Sequence, residues 1–298
     1  MVKETVCIGV CTCQRPRLLE RCLLSLAAQK QVDGVNIEIV VVDNNDAPSA
    51  GPAVEAFKLR CPFPVHYRHE PRRGIPMARN RVLEEALLSS ARRDRADAVK
   101  ARVHRIYPEP APFWCTLTND GAAYDPGTDG PVEHRKRNTV ATNGVIISSK
   151  LFKDFGLRFS ERLALSGEED GEFFAKASEL GALMVTSSMP VLIEEAHRSR
   201  YTYLRQIQNG LSRGGAYVSQ FKDKNGYLAA LRRYSTVLTA RAIKGTGQLI
   251  ISPVFIPFSM NRFKFTAIDG GKNIFVAFGM LGGLLSLQYE YYRQIDGN

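Results

Sequence analysis

The sequence predicts an α/β fold, with a mostly parallel central sheet carrying helices on both faces, followed by a helical C-terminal region. Three observations carry this expectation. Val6 to Cys11 and Ile37 to Val42 are near-continuous apolar runs, the pattern of strands buried on both faces rather than of strands alternating with water. Between them Leu18, Leu19, Cys22, Leu23 and Leu26 recur at helical spacing behind Pro16, a residue suited to a first helical turn. After Arg200 the strand signals stop and helical texture takes over.

The two strands and the helix between them make a βαβ unit. A right-handed crossover places both strand C-termini, Thr12 to Arg15 and Asp43 to Asp46, on one edge of a parallel sheet, where open α/β sheets bind ligands. Val65 to Arg68 reads as a third strand, and Gly74-Ile-Pro76 introduces a helix with Val82, Leu83, Ala86 and Leu87 on its apolar side. Ala98 to Ile106 reads as a strand. Pro108, Pro110 and Pro112 break the chain before Trp114, and the Gly-, Asp- and Pro-rich stretch from Asn119 to Pro131 reads as an exposed, mobile loop. Strand character resumes from Thr139 to Ser149. Ser166 and Glu169 have capping-box spacing, which predicts a helix running to about Leu180 and stopped by Gly181. The expected division is residues 1–200 as one α/β domain and residues 201–298 as a helical extension.

Within that extension Leu249 to Phe258 and Ile274 to Leu287 are apolar but fall short of the roughly 20 residues a spanning helix needs. Pro253, Pro257 and Gly282-Gly283 interrupt them. They fit either docking in a membrane interface or burial in a core.

Forty Lys and Arg against thirty Asp and Glu give a net charge of +10, which suits an anionic partner such as a nucleotide diphosphate, a phospholipid surface or a polyprenyl phosphate. Nucleic acid is not expected. The dense basic runs, Arg92, Arg93, Arg95 and His134 to Arg137, lack the interleaved aromatics of a single-strand platform. The short apolar run at the N-terminus, followed by Arg15 and Arg17, is no signal peptide, so a cytoplasmic location is expected. Cys7, Cys11, Cys13, Cys22, Cys61 and Cys115 form no Cys-x-x-Cys pair and read as buried free thiols; zinc at Cys11 and Cys13 would lack a second ligand pair.

Val10-Cys-Thr-Cys-Gln-Arg-Pro16, Val40-Val-Val-Asp-Asn-Asn-Asp46, Gly74-Ile-Pro-Met-Ala-Arg-Asn80 and Ser166-Gly-Glu-Glu-Asp170 follow one another on the expected strand ends and helix starts. This succession resembles family-2 glycosyltransferases of the GT-A fold, in particular bacterial enzymes building succinoglycan-like exopolysaccharides. The resemblance is collinear from about Val6 to Gly215 and includes the lead-in Leu157-Arg-Phe-Ser-Glu-Arg-Leu163. It implies inverting transfer from a nucleotide-diphospho-sugar, expected to be a UDP-sugar, to a saccharide or lipid-linked acceptor. Peripheral membrane contact through the C-terminal helices would accompany it.

A nucleotide sugar presents a base edge, a ribose and a pyrophosphate, so its site needs a carboxylate for polar edges and cations or helix N-termini for phosphate. Asp43 looks like the base- or ribose-binding aspartate, with Asn45 beside it, although an Asx turn leaving a strand would also explain it. Thr12 and Arg15 would line the same pocket, or serve as a helix cap and a solvated cation. Arg79 and Asn80 match the family's Ala-Arg-Asn segment, near enough to a helix start to reach a diphosphate. Glu169 and Asp170 match its acidic motif, in which the aspartate removes the acceptor hydroxyl proton; acids in a first helical turn also satisfy the helix dipole. His197 is a weaker candidate for a phosphate or metal ligand.

One departure stands out. The resemblance implies an Asp-x-Asp motif on a strand end, holding Mg²⁺ or Mn²⁺ against the donor pyrophosphate, and no Asp-x-Asp occurs in this sequence. Met77 to Ala86 and Leu87 to Asp97 read as two helices fused where a strand has dropped out. Asp94 and Asp97 are poor substitutes, spaced as a salt-bridged helix end. Without the metal, charge on the leaving diphosphate would fall to Arg15, Arg79, Arg205 and Arg213. A gap beside the first strand is expected unless Ala98 to Val103 shifts across to fill it.

Overall fold

The computed structural model describes residues 4–29, 34–89, 97–107, 134–137, 140–195, 198, 202–287 and 289–293. β1 (Glu4–Thr12) and β2 (Val35–Asp43) are parallel, with α1 (Pro16–Ala27) as their crossover, and β2 pairs in parallel with β3 (Val65–His69). The register aligns Thr12 with Asp43 and Asp43 with His69, so three polar strand ends lie side by side on one edge. β2 is covered on both faces. Ile39 and Val41 pack against Leu19 and Leu23 of α1 and Val54 and Phe57 of α2 (Gly51–Lys58), while Val40 and Val42 meet Ala78 and Val82 of α3 (Ile75–Ser89). Each such side chain contributes on the order of 1.5–3 kcal/mol when fully buried.

The second sheet has the order β5-β7-β4-β6, built from β4 (Ala98–Ile106), β5 (His134–Arg137), β6 (Val145–Ile147) and β7 (Met184–Glu195). Only β4 and β7 are parallel neighbours within it. Its core joins Ala98 and Met184 to Leu151 and Phe152 of α4 (Lys150–Lys153) and to Phe173 and Phe174 of α5 (Glu169–Glu179). Phe159 stacks on Phe173 at 4.4 Å between centroids.

The central sheet is thus divided: three strands in order β1-β2-β3, and four around β4 and β7. β4 has not moved across. It pairs with β6 and β7, and β1 has only β2 as a strand partner among the described residues. The burial expected for the cysteines is not met: Cys7, Cys13 and Cys61 are half-buried, and Cys11 on β1 and Cys22 on α1 are exposed. All the described cysteines are free, and Cys115 lies outside the described residues.

α3 joins the two parts. Its Val82 lies so close to Gly9 of β1 that a Cβ there would clash, and its Leu83 belongs to the core of the second sheet. Gly74 precedes it at φ 144°, a conformation that favours glycine, and a Cβ at that position would also press on Ala164.

Three expectations need correction. Of the stretch expected as strand from Thr139 to Ser149, only Val145–Ile147 is strand among the described residues. Ser166 is not a helix cap: its hydroxyl donates to the Leu163 carbonyl, and the residue before α5 is Glu168, left-handed at φ 68°. Asp97 does not end a helix but precedes β4, where its carboxylate accepts from the Leu183 N–H (2.8 Å) and pairs with Lys150. Asn119 to Pro131, Asp94 and His197 lie outside the described residues.

The C-terminal part contains α6 (Tyr203–Asn225), α7 (Tyr227–Ile251) and α8 (Met260–Leu284). Thr202 caps α6 and Ser259 caps α8, each accepting from the backbone N–H three residues on. Gly214 and Gly279 let α6 and α8 touch backbone to backbone, where any Cβ would clash. Among the described residues no helix is long and apolar enough to cross a membrane.

Candidate donor and acceptor site

A cleft of about 290 Å³ opens at the C-terminal edge of the three-stranded sheet, lined by Thr12, Gln14, Arg15, Pro16, Leu19, Ser49 and Ala50. Thr12 and Arg15 stand here because β1 ends at Thr12 and Pro16 starts α1, with Gln14 taking a left-handed turn between them. Asp43 does not line this cleft but is bonded to two residues that do, Ser49 and Ala50. It is fully buried, and its Oδ2 accepts from the backbone N–H groups of Ser49 (2.6 Å) and Ala50 (2.7 Å) and from the Tyr67 hydroxyl (3.0 Å). Burial, then the bond to Asp43, pushes the Tyr67 phenol up to about 12. Asp43 therefore holds the wall of the cleft in place through Ser49 and Ala50.

Asn45 sits at the rim. Its side-chain oxygen accepts from Gln14 Nε2 (3.0 Å), and its carbonyl lies 2.7 Å from His69 Nε2. Sequence reasoning passed over its neighbour Asn44, which is buried and ties the edge together. Asn44 donates to the carbonyls of Glu70 and Arg72, accepts from the Gly74 N–H, and bonds through its own N–H to Thr12. The motif offered a signal only in its first Asn, since a buried amide after a strand-end aspartate has backbone groups to satisfy. Burial pushes the Cys13 thiol up, opposed by the charges of Arg73, also passed over, and Arg15.

The second group of predicted residues meets at the seam between the sheets. Arg79 of α3 forms a close ion pair with Glu169, the first residue of α5, and lies over the Phe159 ring at 5.4 Å. Glu169 is buried. Burial raises its pKa, opposed by the charge of Arg79 and reinforced by that of Asp170, and its second oxygen has no hydrogen-bond partner. Asn80 holds the two parts together: its amide donates to the Phe159 carbonyl (3.0 Å) and accepts from the Phe159 N–H (2.9 Å). Asp170 accepts from its neighbour Gly171 N–H (2.9 Å) and from the Thr142 N–H (3.3 Å). Arg213 reaches across from α6 to Glu168 at 3.1 Å. Arg205 stacks on Tyr291 at 4.3 Å.

The structure thus gathers Thr12, Arg15, Asp43 and Asn45 at the sheet edge and Arg79, Asn80, Glu169 and Asp170 at the seam. The carboxylates do not suit a divalent ion. Asp43 is engaged by the loop, Glu169 by Arg79 and Glu168 by Arg213, and among the described residues no group of three or more His, Cys, Asp or Glu side chains could hold a metal.

The parallel sheet with polar strand ends, the second, mixed sheet and the C-terminal helical region make a GT-A fold. The mannosyltransferase PcManGT from Pyrobaculum calidifontis, solved in complex with GDP-Man and Mn²⁺, has a similar fold: TM-score 0.57 at 16% identity, covering 96% of this chain and 88% of that one. Residues 7–88 match the family described as Glycosyl transferase family 2. Over 188 residues the chain is 30% identical to succinoglycan biosynthesis protein ExoM of Rhizobium meliloti (strain 1021), which covers 56% of this chain and 59% of that protein. The chain therefore spans about three-fifths of the length of this relative. The resemblance read from the four motifs stands.

Proposed function

We propose that this chain transfers a sugar, with inversion, from a nucleotide-diphospho-sugar to a saccharide or lipid-linked acceptor in the synthesis of an exopolysaccharide. UDP-sugar is the donor proposed, and the cytoplasmic face of a membrane the site of action. The observation that carries this reading is the Arg79–Glu169 pair, which joins the helix expected to face the donor phosphates to the acidic loop expected to face the acceptor. The nucleotide would enter the cleft between Thr12 and Ser49, with Arg15 and Arg79 facing its phosphates. Asp170 would take the proton of the acceptor hydroxyl as its oxygen bonds to the anomeric carbon and the bond to the diphosphate breaks. The negative charge gathering on the departing diphosphate would be met by the arginines of the seam. Asp170→Asn should abolish transfer and leave UDP affinity within about twofold; transfer that survives this change would remove Asp170 from the base role.

A second reading is a relative that binds nucleotide or acceptor without transfer, as partner to another enzyme. The divided sheet among the described residues favours it. UDP binding by wild-type protein without transfer from any UDP-sugar would select it.

A further inference from the structure

From Asn225 to Ile268 the chain carries Arg232, Arg233, Arg241, Lys244, Arg262 and Lys264 and no aspartate or glutamate. This stretch folds as a helical hairpin. α7 and α8 run antiparallel, with Arg241 bonded to Asn273, Gln248 to Asp269, and Gly245 against Gly270. Beyond that last close approach the hairpin continues through the end of α7, a 3-10 turn (Ser252–Phe255) and the start of α8. At this tip Ile250 is 74% exposed, Val254 58%, Phe258 81% and Phe265 53%. Apolar side chains exposed in such density mark a contact surface, and the cations Lys244, which also pairs with Asp269 at 3.8 Å, Arg262 and Lys264 flank them.

We propose that this tip is a peripheral membrane anchor that sets its apolar side chains into the interface of an anionic bilayer. Lys244, Arg262 and Lys264 would face the lipid phosphates. The hairpin is too short in apolar length to span, so it would lie in the interface, where binding strength follows buried apolar area together with attraction to anionic lipid. Charge complementarity separates this occupant from a second copy of the chain, whose tip would bring like charges together. Docking here deepens the peripheral contact included in the proposed function and is independent of sugar transfer.

The test is co-sedimentation of the full chain with vesicles of phosphatidylcholine alone and of phosphatidylcholine with phosphatidylglycerol. Wild type should pellet with the anionic vesicles and largely remain in solution with the neutral ones. Ile250→Ser with Phe258→Ser should lower anionic-vesicle binding at least roughly tenfold, with circular dichroism and UDP affinity unchanged. Equal binding by wild type and the double variant would overturn the proposal, as would wild type that ignores both vesicles. A dimer by light scattering that the same substitutions convert to monomer would assign the tip to self-association and overturn it too. Vesicle binding by a chain that fails to bind UDP would refute the donor site while leaving the anchor standing.

Discussion

β1 and β2 are each nine residues long and similarly apolar, yet their environments differ. β2 has a strand on either side and helices on both faces, and Ile39, Val41 and Val42 have no exposure. β1 has one strand partner among the described residues, its residues from Thr5 to Ile8 are half-buried, and Gly9 and Cys11 are exposed. The contrast shows that apolar composition alone does not set a strand's burial, which depends on the neighbours it has. β1 has the composition of a central strand but one strand partner among the described residues.

The largest effect should come from truncating equivalent positions of the two strands. Ile39→Ala should cost about 2–5 kcal/mol in urea unfolding, and Ile8→Ala, its register partner, about 1 kcal/mol. Equal costs would break the comparison. A smaller effect is expected at the strand ends. Asp43→Ala strands the N–H groups of Ser49 and Ala50 and the Tyr67 hydroxyl, and should cost roughly 1–3 kcal/mol together with a severalfold loss of UDP affinity. Thr12→Ala should alter UDP affinity while leaving the unfolding midpoint nearly unchanged.

The smallest effect concerns Glu169. Burial raises its pKa despite Arg79, so the folded chain holds this proton more readily than the unfolded chain. Its contribution to stability is full below the ordinary carboxylate value and is lost as pH rises through the raised value. Glu169→Gln, which mimics the protonated acid, should melt about 1–3 °C above wild type at pH 7 and together with it near pH 4. A gap that widens toward low pH would reverse the sign of this assignment.

Much of the frame was legible because local rules agreed with the fold. The apolar runs marked β1 and β2, Gly74-Ile-Pro76 marked the start of α3, and Ala98–Ile106 coincides with β4. Ser166 misled because its spacing to Glu169 matches a capping box, while the chain there turns left-handed through Gly167 and Glu168. β1 has no second strand partner among the described residues, in line with the expected gap, but which strand would border it is a tertiary matter that no local pattern encodes. At the site, sequence could name Arg79, Asn80, Glu169 and Asp170 but not their pairing. That Arg79 faces Glu169, and that Asn80 clasps Phe159, follows from α3 being wedged between two sheets.

The central claim is that the cleft at the C-terminal ends of β1 and β2 binds a nucleotide diphosphate through the chain's own arginines. Calorimetric titration of the full chain with UDP, once in Mn²⁺ and once in EDTA, tests it most directly. Saturable one-site binding that persists in EDTA is the predicted result. Binding that requires Mn²⁺, or no binding in either condition, would contradict it.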